Sequence, residues 1–498
     1  MNAPQNNPAP IFIRLNVKID DGSCCNVKEI TRPLKQQIGE PDQIVGKWPF
    51  LLPLLPVSSR KLYIETYGCQ MNVVDSEVVA AILRQQKFRI TEKIGEADLI
   101  LVNTCSVRDH AEQRVRSRLR DLKRVKQQNP GVRVGVIGCM AERLKERLLE
   151  EEPMVDLVVG PDAYRKLPSL LEVVEHGQKG IDTLLSARET YSDIEPVRMD
   201  KNHVTSFVSI MRGCNNHCAY CVVPGTRGKE RSRDPETILR EAGALFNRGY
   251  REVTLLGQNV NSYRWEQDGK IIPFERLLER VAAIDPLLRV RFVTSHPKDM
   301  TSELLKTIAR HPNLCRSVHL PLQSGSSEVL RRMKRRYTRE HYMDRIEAIR
   351  KYLPEASIST DIIAGFCGES EEEHQQTLSL MEWAGYDFAY MFKYSERSGT
   401  LAARKYEDDV PETVKSRRLN EIIELQMKCS LASKERDVGQ ALEVLAEGVS
   451  KKSEGHLYGR SSQNKVVVFP RGSFSPGDYA RVQITHCTPA TLIGDPVQ

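Results

Sequence analysis

No long apolar run occurs in the 498 residues. The densest near the start, "WPFLLPLLPV" (Trp48 to Val57), is broken by three prolines and is too short to span a bilayer, so no membrane segment is expected. A basic start is missing as well: the opening Met, Asn, Pro and Gln residues do not read as a secretory signal. The expected compartment is therefore the reducing cytoplasm, where clustered cysteines serve metals or catalysis more often than disulfides. Neither sign of charge dominates. Against 66 Asp and Glu stand 73 Lys and Arg, a net +7 that suits an anionic partner and equally suits an ordinary cytosolic protein.

A hydrophobic content of 40% is enough for several cores, and this length implies about three domains. Residues 1–58, rich in Pro, Asn and Gln, read as a poorly ordered extension in which Cys24 and Cys25 are spare thiols. From Arg60 onward one unit occurs three times: an apolar run, a cysteine, then a helical pattern. The runs are "KLYIETYGC" ending at Cys69, "ADLILVNTC" ending at Cys105 and "VRVGVIGC" ending at Cys139, followed by helices expected over 75–86, 111–128 and 140–151. The repetition predicts a parallel α/β domain over 59–179. In such sheets ligands bind beyond the carboxyl ends of the strands, where all three cysteines fall. They read as a shared ligand set, with three separately buried small thiols as the plainer alternative.

A polar stretch over 180–203 reads as a linker. Six further strands are expected over 204–435, at 205–211, 252–258, 289–295, 317–323, 357–365 and 388–395, separated by helical patterns. Six such units predict a partial (β/α)6 barrel, with its chemistry on the loops "MRGC", "GQNVNSY", "TSHP", "LQSGS" and "DIIAGF". Short runs with turn residues over 436–498 predict a small antiparallel β-barrel, giving an α/β chain with an all-β end.

What "MRGCNNHCAYC" (Met211 to Cys221) lacks is a fourth ligand. Cys214, Cys218 and Cys221 can hold three corners of an iron-sulfur cube and leave one iron open for a substrate or cofactor. Structural zinc prefers four closed ligands, and His217, lying between two of these cysteines, is badly placed to be the fourth. Such a motif at the mouth of a partial α/β barrel resembles the radical S-adenosylmethionine (SAM) superfamily. With the amino-terminal cysteines and the small carboxyl-terminal barrel added, residues 60–495 resemble its methylthiotransferase family. "GCQMNVVDSE" (68–77), "NTCSVRDHAEQRVRSRL" (103–119), "CVVPGTRGKERSR" (221–233), "HLPLQSGS" (319–326) and "GRSSQNKVVVFP" (459–470) look like the branch acting on tRNA.

The resemblance implies two 4Fe-4S clusters, one on Cys214, Cys218 and Cys221 and an auxiliary one on Cys69, Cys105 and Cys139. It implies SAM in two roles, as methyl donor and as radical source, with Tyr220 near the adenine or simply packing. Arg233, Gln258, Asn259 and Ser295, on strand-end loops or the turn after the cluster motif, are the expected SAM contacts, with satisfying backbone groups of those loops as the plainer alternative. It further implies a TRAM-like carboxyl-terminal barrel that binds RNA. The expected substrate is a tRNA anticodon stem-loop whose isopentenylated adenosine at position 37 receives a methylthio group at C2 after leaving its stack. An electron-donor protein and a monomeric chain complete the expectation. "RRMKRRYTR" (331–339) reads as a phosphate-holding run or as a solvated helix face. Two departures stand out: Gly225 where the family has an aromatic residue, and Cys367 where it has proline, the latter read as a tolerated substitution with a ligand role as the alternative. Two other functions remain open, methylthiolation of an aspartate in a ribosomal protein and a non-catalytic iron-sulfur protein that binds RNA or senses.

Overall fold

The computed structural model describes residues 59–106, 109–200 and 202–497, so the extension with Cys24 and Cys25 lies outside the described residues. Within the amino-terminal domain the strands are β1 (Lys61–Tyr67), β2 (Arg89–Ile90), β3 (Leu99–Thr104), β4 (Arg133–Gly138), β5 (Leu157–Val159) and β6 (Gly180–Asp182). They form one parallel sheet in the order β2-β1-β3-β4-β5-β6. Helices α1 (Gln70–Gln85), α2 (Asp109–Gln128), α3 (Cys139–Leu144), α4 (Glu146–Glu151) and α5 (Leu167–Glu175) cover it. Both faces carry apolar cores, as a parallel sheet requires.

Three local expectations differ from this domain. Helix α1 begins five residues before the expected Asp75, because Asn72 accepts a hydrogen bond from the Cys69 backbone N–H (3.3 Å) and so caps a helix starting at the cysteine. The single helix expected over 140–151 is broken at Lys145, whose φ is +50°. The stretch expected as a linker over 180–203 opens with β6 and then lays Tyr191, Ile194 and Met199 into the core shared with α1 and α5.

Next come β7 (Thr205–Ser209), β8 (Met211–Arg212), α6 (Val223–Arg227), β9 (Arg231–Ser232), α7 (Pro235–Asn247) and β10 (Glu252–Leu256). A hairpin of β11 (Arg264–Gln267) and β12 (Lys270–Pro273) leads to α8 (Phe274–Ala282), β13 (Arg289–Phe292), α9 (Ser302–Arg310) and β14 (Ser317–His319). Helices α10 (Ser327–Arg332) and α11 (Arg339–Tyr352), β15 (Ser357–Ala364), α12 (Glu371–Ala384), β16 (Phe388–Lys393), α13 (Leu401–Lys405) and α14 (Glu412–Glu435) complete the domain. The parallel strands run β7-β10-β13 and β14-β15-β16, joined by a bridge between Val290 and Leu314. This is the six-stranded partial barrel, its strands ending one to four residues earlier than the apolar runs.

The last domain is a closed barrel of β17 (Ala441–Ser450), β18 (Ser453–Ser461), β19 (Val466–Pro470), β20 (Tyr479–Cys487) and β21 (Leu492–Pro496). Antiparallel pairs make up most of it, and a parallel pair, β19 with β21, closes it. Its β18–β19 turn stops the floor of the partial barrel: Arg291 Nη2 donates to the Ser461 carbonyl (3.3 Å) and Ser357 Oγ to the Gln463 carbonyl (2.6 Å). The mouth, at the opposite ends of the strands, stays clear for the amino-terminal domain. Among the described residues no helix is long and apolar enough to cross a membrane.

Candidate functional site

Register brings the first triad together. Tyr67 pairs with Thr104, and Thr104 with Gly138, so Cys69, Cys105 and Cys139 leave three adjacent strands at one level. The turns into Cys69 and Cys139 need glycine. Gly138 has φ +93° and ψ −158°, and a Cβ there would stand 2.5 Å from Asn103 Oδ1 and 2.9 Å from the Thr104 carbonyl. Buried amides hold the cradle from behind: Asn72 Nδ2 donates to Asn103 Oδ1 (2.9 Å), and Asn103 Nδ2 to the Asn72 carbonyl (2.7 Å) and to Ser76 Oγ (2.9 Å). The Cys105 thiol, hydrogen-bonded to Cys69, draws the Cys69 thiol down to about 6, and the charge of Arg227 acts the same way. Burial pushes the Cys139 thiol up, against the pull of Arg227.

The second triad sits in the loop between β8 and α6. Gly213, at φ +74°, turns the chain into Cys214, where a Cβ would strike the Lys229 carbonyl. Burial and the neighbouring Cys218 push the Cys221 thiol up to about 12, and burial raises Cys214. Burial therefore favours the neutral thiols here in the absence of a cationic partner. Among the described residues no group of three or more His, Cys, Asp or Glu side chains is set to hold a single metal ion. A cube asks for a different arrangement, because each cysteine takes its own iron. His217 is exposed.

Helix α6 joins the two triads. It starts two residues after Cys221 and ends at Arg227, whose Nε donates to Cys139 Sγ (3.2 Å). Six residues at helical rise separate Cys221 from Arg227 by about 9 Å. Arg227 Nη2 also donates to Asp75 Oδ2 (2.7 Å), and Arg212 Nη1, one residue before Gly213, donates to Asp75 Oδ1 (2.9 Å). Arg231 Nη2 reaches Asp162 Oδ1 (2.9 Å). Asp75 and Asp162 belong to the amino-terminal domain and the three arginines to the barrel, so a buried ionic lattice locks the two domains around the cysteines.

The expected SAM contacts divide. Gln258 and Asn259 follow β10 and Ser295 follows β13, on loops pinned by the Val260 N–H to the Thr294 carbonyl (2.9 Å). Gln258 Oε1, Asn259 Oδ1 and Ser295 Oγ are buried and have no hydrogen-bond partner among the described residues. Orphaned polar atoms on neighbouring loops of the mouth are what a polar ligand would satisfy. Asn259 is in addition held through its amide by Asp299 (3.2 Å) and Ser262. Arg233 is held within the fold. Its guanidinium is committed to Thr237 (2.9 Å), the Ser209 carbonyl (3.2 Å) and Glu241, fastening α7 to β7. Tyr220 packs edge-on against Phe366 (6.4 Å between centroids), and its hydroxyl lies within the charge field of Cys218, Cys221 and Arg335.

Cys367 is buried among Ala219, Phe366 and Tyr394, a packing residue behind the cysteine loop. Around Gly225, in the middle of α6, nothing lies within 4 Å of where a Cβ would be. The run 331–339 is neither a phosphate patch throughout nor a solvated helix face. Arg331 pairs with Glu328 and Arg332 with Glu373, Arg339 bonds backbone carbonyls, and Arg335 turns inward so that Nη1 donates to Cys218 Sγ (3.2 Å). Sequence reasoning missed Arg227 and Arg335, whose sulfur partners lie 88 and 117 residues away.

Residues 61–160 match the family described as "Uncharacterized protein family UPF0004", 208–381 the radical SAM superfamily and 435–497 the TRAM domain. The tRNA-2-methylthio-N(6)-dimethylallyladenosine synthase of Amoebophilus asiaticus is 56% identical over 453 residues, covering 88% of this chain and 93% of its own. The enzyme of the same name from Phocaeicola vulgatus is 56% identical over 442 residues, covering 88% and 96%. Among solved structures, the radical SAM methyltransferase TsrM of Kitasatospora setae superposes with a TM-score of 0.50 at 14% identity over 67% of this chain and 73% of its own. The cobalamin-dependent radical enzyme OxsB gives 0.50 at 13% identity, covering 74% and 56%. These two likenesses carry the fold alone.

Proposed function

The chain belongs to the tRNA-2-methylthio-N(6)-dimethylallyladenosine synthases of the radical SAM superfamily, and from that membership we propose how its residues divide the work. It is a tRNA methylthiotransferase that uses a 4Fe-4S cluster and SAM. In our reading Cys214, Cys218 and Cys221 would hold the cluster that meets SAM, and Cys69, Cys105 and Cys139 would hold a second cluster. When bound, these groups supply a 5′-deoxyadenosyl radical on one side and a methylated sulfur on the other.

The chain's part is to orient and enclose. Gln258, Asn259 and Ser295 offer SAM their unpartnered oxygens, and Tyr220 packs beside its adenine. The target adenosine at position 37 leaves its stack to present C2 between the triads. Exposed Lys451, Lys452, Arg471 and Arg481 on the carboxyl-terminal barrel take the phosphates of the anticodon stem. One copy of the chain contains both triads, and a reduced donor protein supplies the electron.

The observation that carries this reading is α6, which ties Cys221 of one triad to Cys139 of the other through Arg227. Anaerobically prepared protein should hold about eight irons, and replacing Cys69, Cys105 and Cys139 by alanine should leave about four. An isopentenylated anticodon stem-loop RNA should gain one methylthio group by mass spectrometry with the first preparation and none with the second. An unchanged iron count in the triple variant, or an RNA of unchanged mass with the intact protein, would sink the reading.

A further inference from the structure

In each triad one cysteine accepts a hydrogen bond from a buried arginine, Arg397 also acts on Cys105 of the first triad, and the two donors differ in their carboxylate partners. Arg227, which donates to Cys139 Sγ (3.2 Å), is paired with the carboxylate of Asp75 (2.7 Å). Arg335, which donates to Cys218 Sγ (3.2 Å), has as its other partner the Tyr337 hydroxyl (3.1 Å from Nε), with its guanidinium 5.3 Å from the Tyr337 ring centroid. That hydroxyl in turn donates to the Pro321 and Leu322 carbonyls. Among the described residues no carboxylate pairs with Arg335, although it is only 6% exposed. A buried guanidinium with no counter-ion is costly to keep, and folds retain one where something else makes use of the charge.

The backbone is bent to put it there. Lys334 and Arg336, on either side, have φ of +56° and +60°, a left-handed conformation that long side chains seldom adopt. Both flanking side chains are exposed while Arg335 is buried. The same turn is fastened to the cysteine loop by the Ala219 N–H donating to the Met333 carbonyl (2.9 Å). Strain concentrated on both flanks of one inward charge marks a functional placement.

Net charge and hydrogen bonds to the sulfurs set the reduction potential of an iron-sulfur cluster. A positive charge held at a ligating sulfur favours the reduced state, which carries one more electron. Resting on the two-cluster reading above, we propose that Arg335 raises the potential of the cluster on Cys214, Cys218 and Cys221, acting on it alone, while the first triad lies in the field of a different set of charges in which Asp75 is shared by Arg212 and Arg227. One electron from a low-potential one-electron donor then enters the triad that meets SAM more readily, with no proton taken up and no bond changed in that step. Arg335 is in this sense a positioning residue for the electron, acting through Cys218.

The test is a mediated redox titration of the holoprotein followed by electron paramagnetic resonance, with the SAM-responsive signal identifying the Cys218 cluster. In Arg335→Gln that signal's reduced-to-oxidised ratio, read at the wild-type midpoint, should fall tenfold or more, about 59 mV per tenfold for one electron. The auxiliary midpoint should not move. Arg335→Lys, which keeps the charge, should stay within about threefold of wild type, on the order of half a logarithmic unit or about 28 mV. Unmoved midpoints in Arg335→Gln with both clusters present would overturn the proposal, and if SAM affinity fell at the same time they would make Arg335 a cofactor contact instead. If the Gln variant sheds its cluster, the Lys variant decides alone, since a tenfold fall with the charge retained also overturns it. A wild-type preparation with about four irons would instead defeat the two-cluster reading, leaving a distinct signature from either result.

Discussion

Replacing Asp75 by asparagine isolates what locks the two cysteine-bearing domains together. Its two oxygens accept from Arg212 Nη1 (2.9 Å) and Arg227 Nη2 (2.7 Å), and the three side chains are 0–3% exposed. Asparagine keeps the shape and loses the charge, leaving two guanidiniums close together in the interior. Arg212 then retains one carboxylate, Asp162 at 3.6 Å, besides the Pro161 carbonyl (3.0 Å). Breaking a buried pair by removing one partner costs about 3–5 kcal/mol, a large share of the roughly 5–15 kcal/mol that holds a typical protein folded. The loss should appear in anaerobic urea denaturation followed by circular dichroism. Adding Arg227→Met to Asp75→Asn should recover part of it, because one of the stranded charges is gone.

The pH dependence has a definite sign. Burial alone would raise the Asp75 carboxyl, but the charges of Arg212 and Arg227 bring it below its ordinary 3.8. A depressed carboxyl stabilises the fold above its unfolded value, and that stability is lost as pH falls through the folded value. The gap between wild type and Asp75→Asn should therefore be full at pH 7, nearly full at pH 5, and close only in strong acid. A variant within about 0.5 kcal/mol of wild type at pH 7 would refute the assignment of a structural lock to this carboxylate.

Two further substitutions probe the first triad. Gly138→Ala forces a Cβ into a backbone conformation almost confined to glycine and against Asn103 and the Thr104 carbonyl, so stability should drop by about 1–3 kcal/mol. Iron should fall toward the count of the triple cysteine variant, and normal values for both would show that the turn tolerates a side chain. Glu142, at 1% exposure with Oε2 lacking a partner, is pushed up to about 7, mainly by burial. Its folded state binds a proton that the unfolded chain has released, so stability should rise as pH falls from about 7 toward 4.5. Glu142→Gln should flatten that part of the profile, measured as denaturation midpoints at pH 5 and 8. Parallel profiles for the two proteins would count against the burial argument.

The expected strands and the (β/α)6 order were readable because each apolar run was long enough to be seen and was followed by a helical pattern. Helix α12 starts where the sequence marks it, since Ser370 and Glu373 form a reciprocal cap. The three-residue strands β5 and β6 were not readable, because their pairing depends on neighbours brought in by the sheet. The buried anchors over 180–203 were hidden by their polar surroundings. Six cysteines were visible as two sets of three, yet the dipeptide Gly–Cys at 68–69, 138–139 and 213–214 carried a further signal. In all three the glycine has a positive φ and so aims the thiol. The partners of Arg233 were not readable from its place after the cysteine motif, because Glu241, which it meets, lies two turns along α7. Arg227 and Arg335 were invisible as sulfur donors because nothing local marks an arginine that will meet a cysteine from a distant segment.

The distance between the triads follows from the same contacts. A helix of five residues has no stability of its own, so α6 is fixed by what holds its ends. At one end Cys221 belongs to the barrel's cysteine loop. At the other, Arg227 is gripped by Asp75 and Cys139 of the amino-terminal domain. Loosening Asp75 would therefore also release the far end of α6 and alter the spacing of the two cysteine sets. Domain docking and the spacing of the cysteine sets thus share one carboxylate. On this argument Asp75→Asn should impair methylthio transfer more than SAM cleavage, because cleavage needs one triad in place and transfer needs both at their proper separation. Equal losses of the two, measured as product RNA against 5′-deoxyadenosine, would show that α6 keeps its position without the lock.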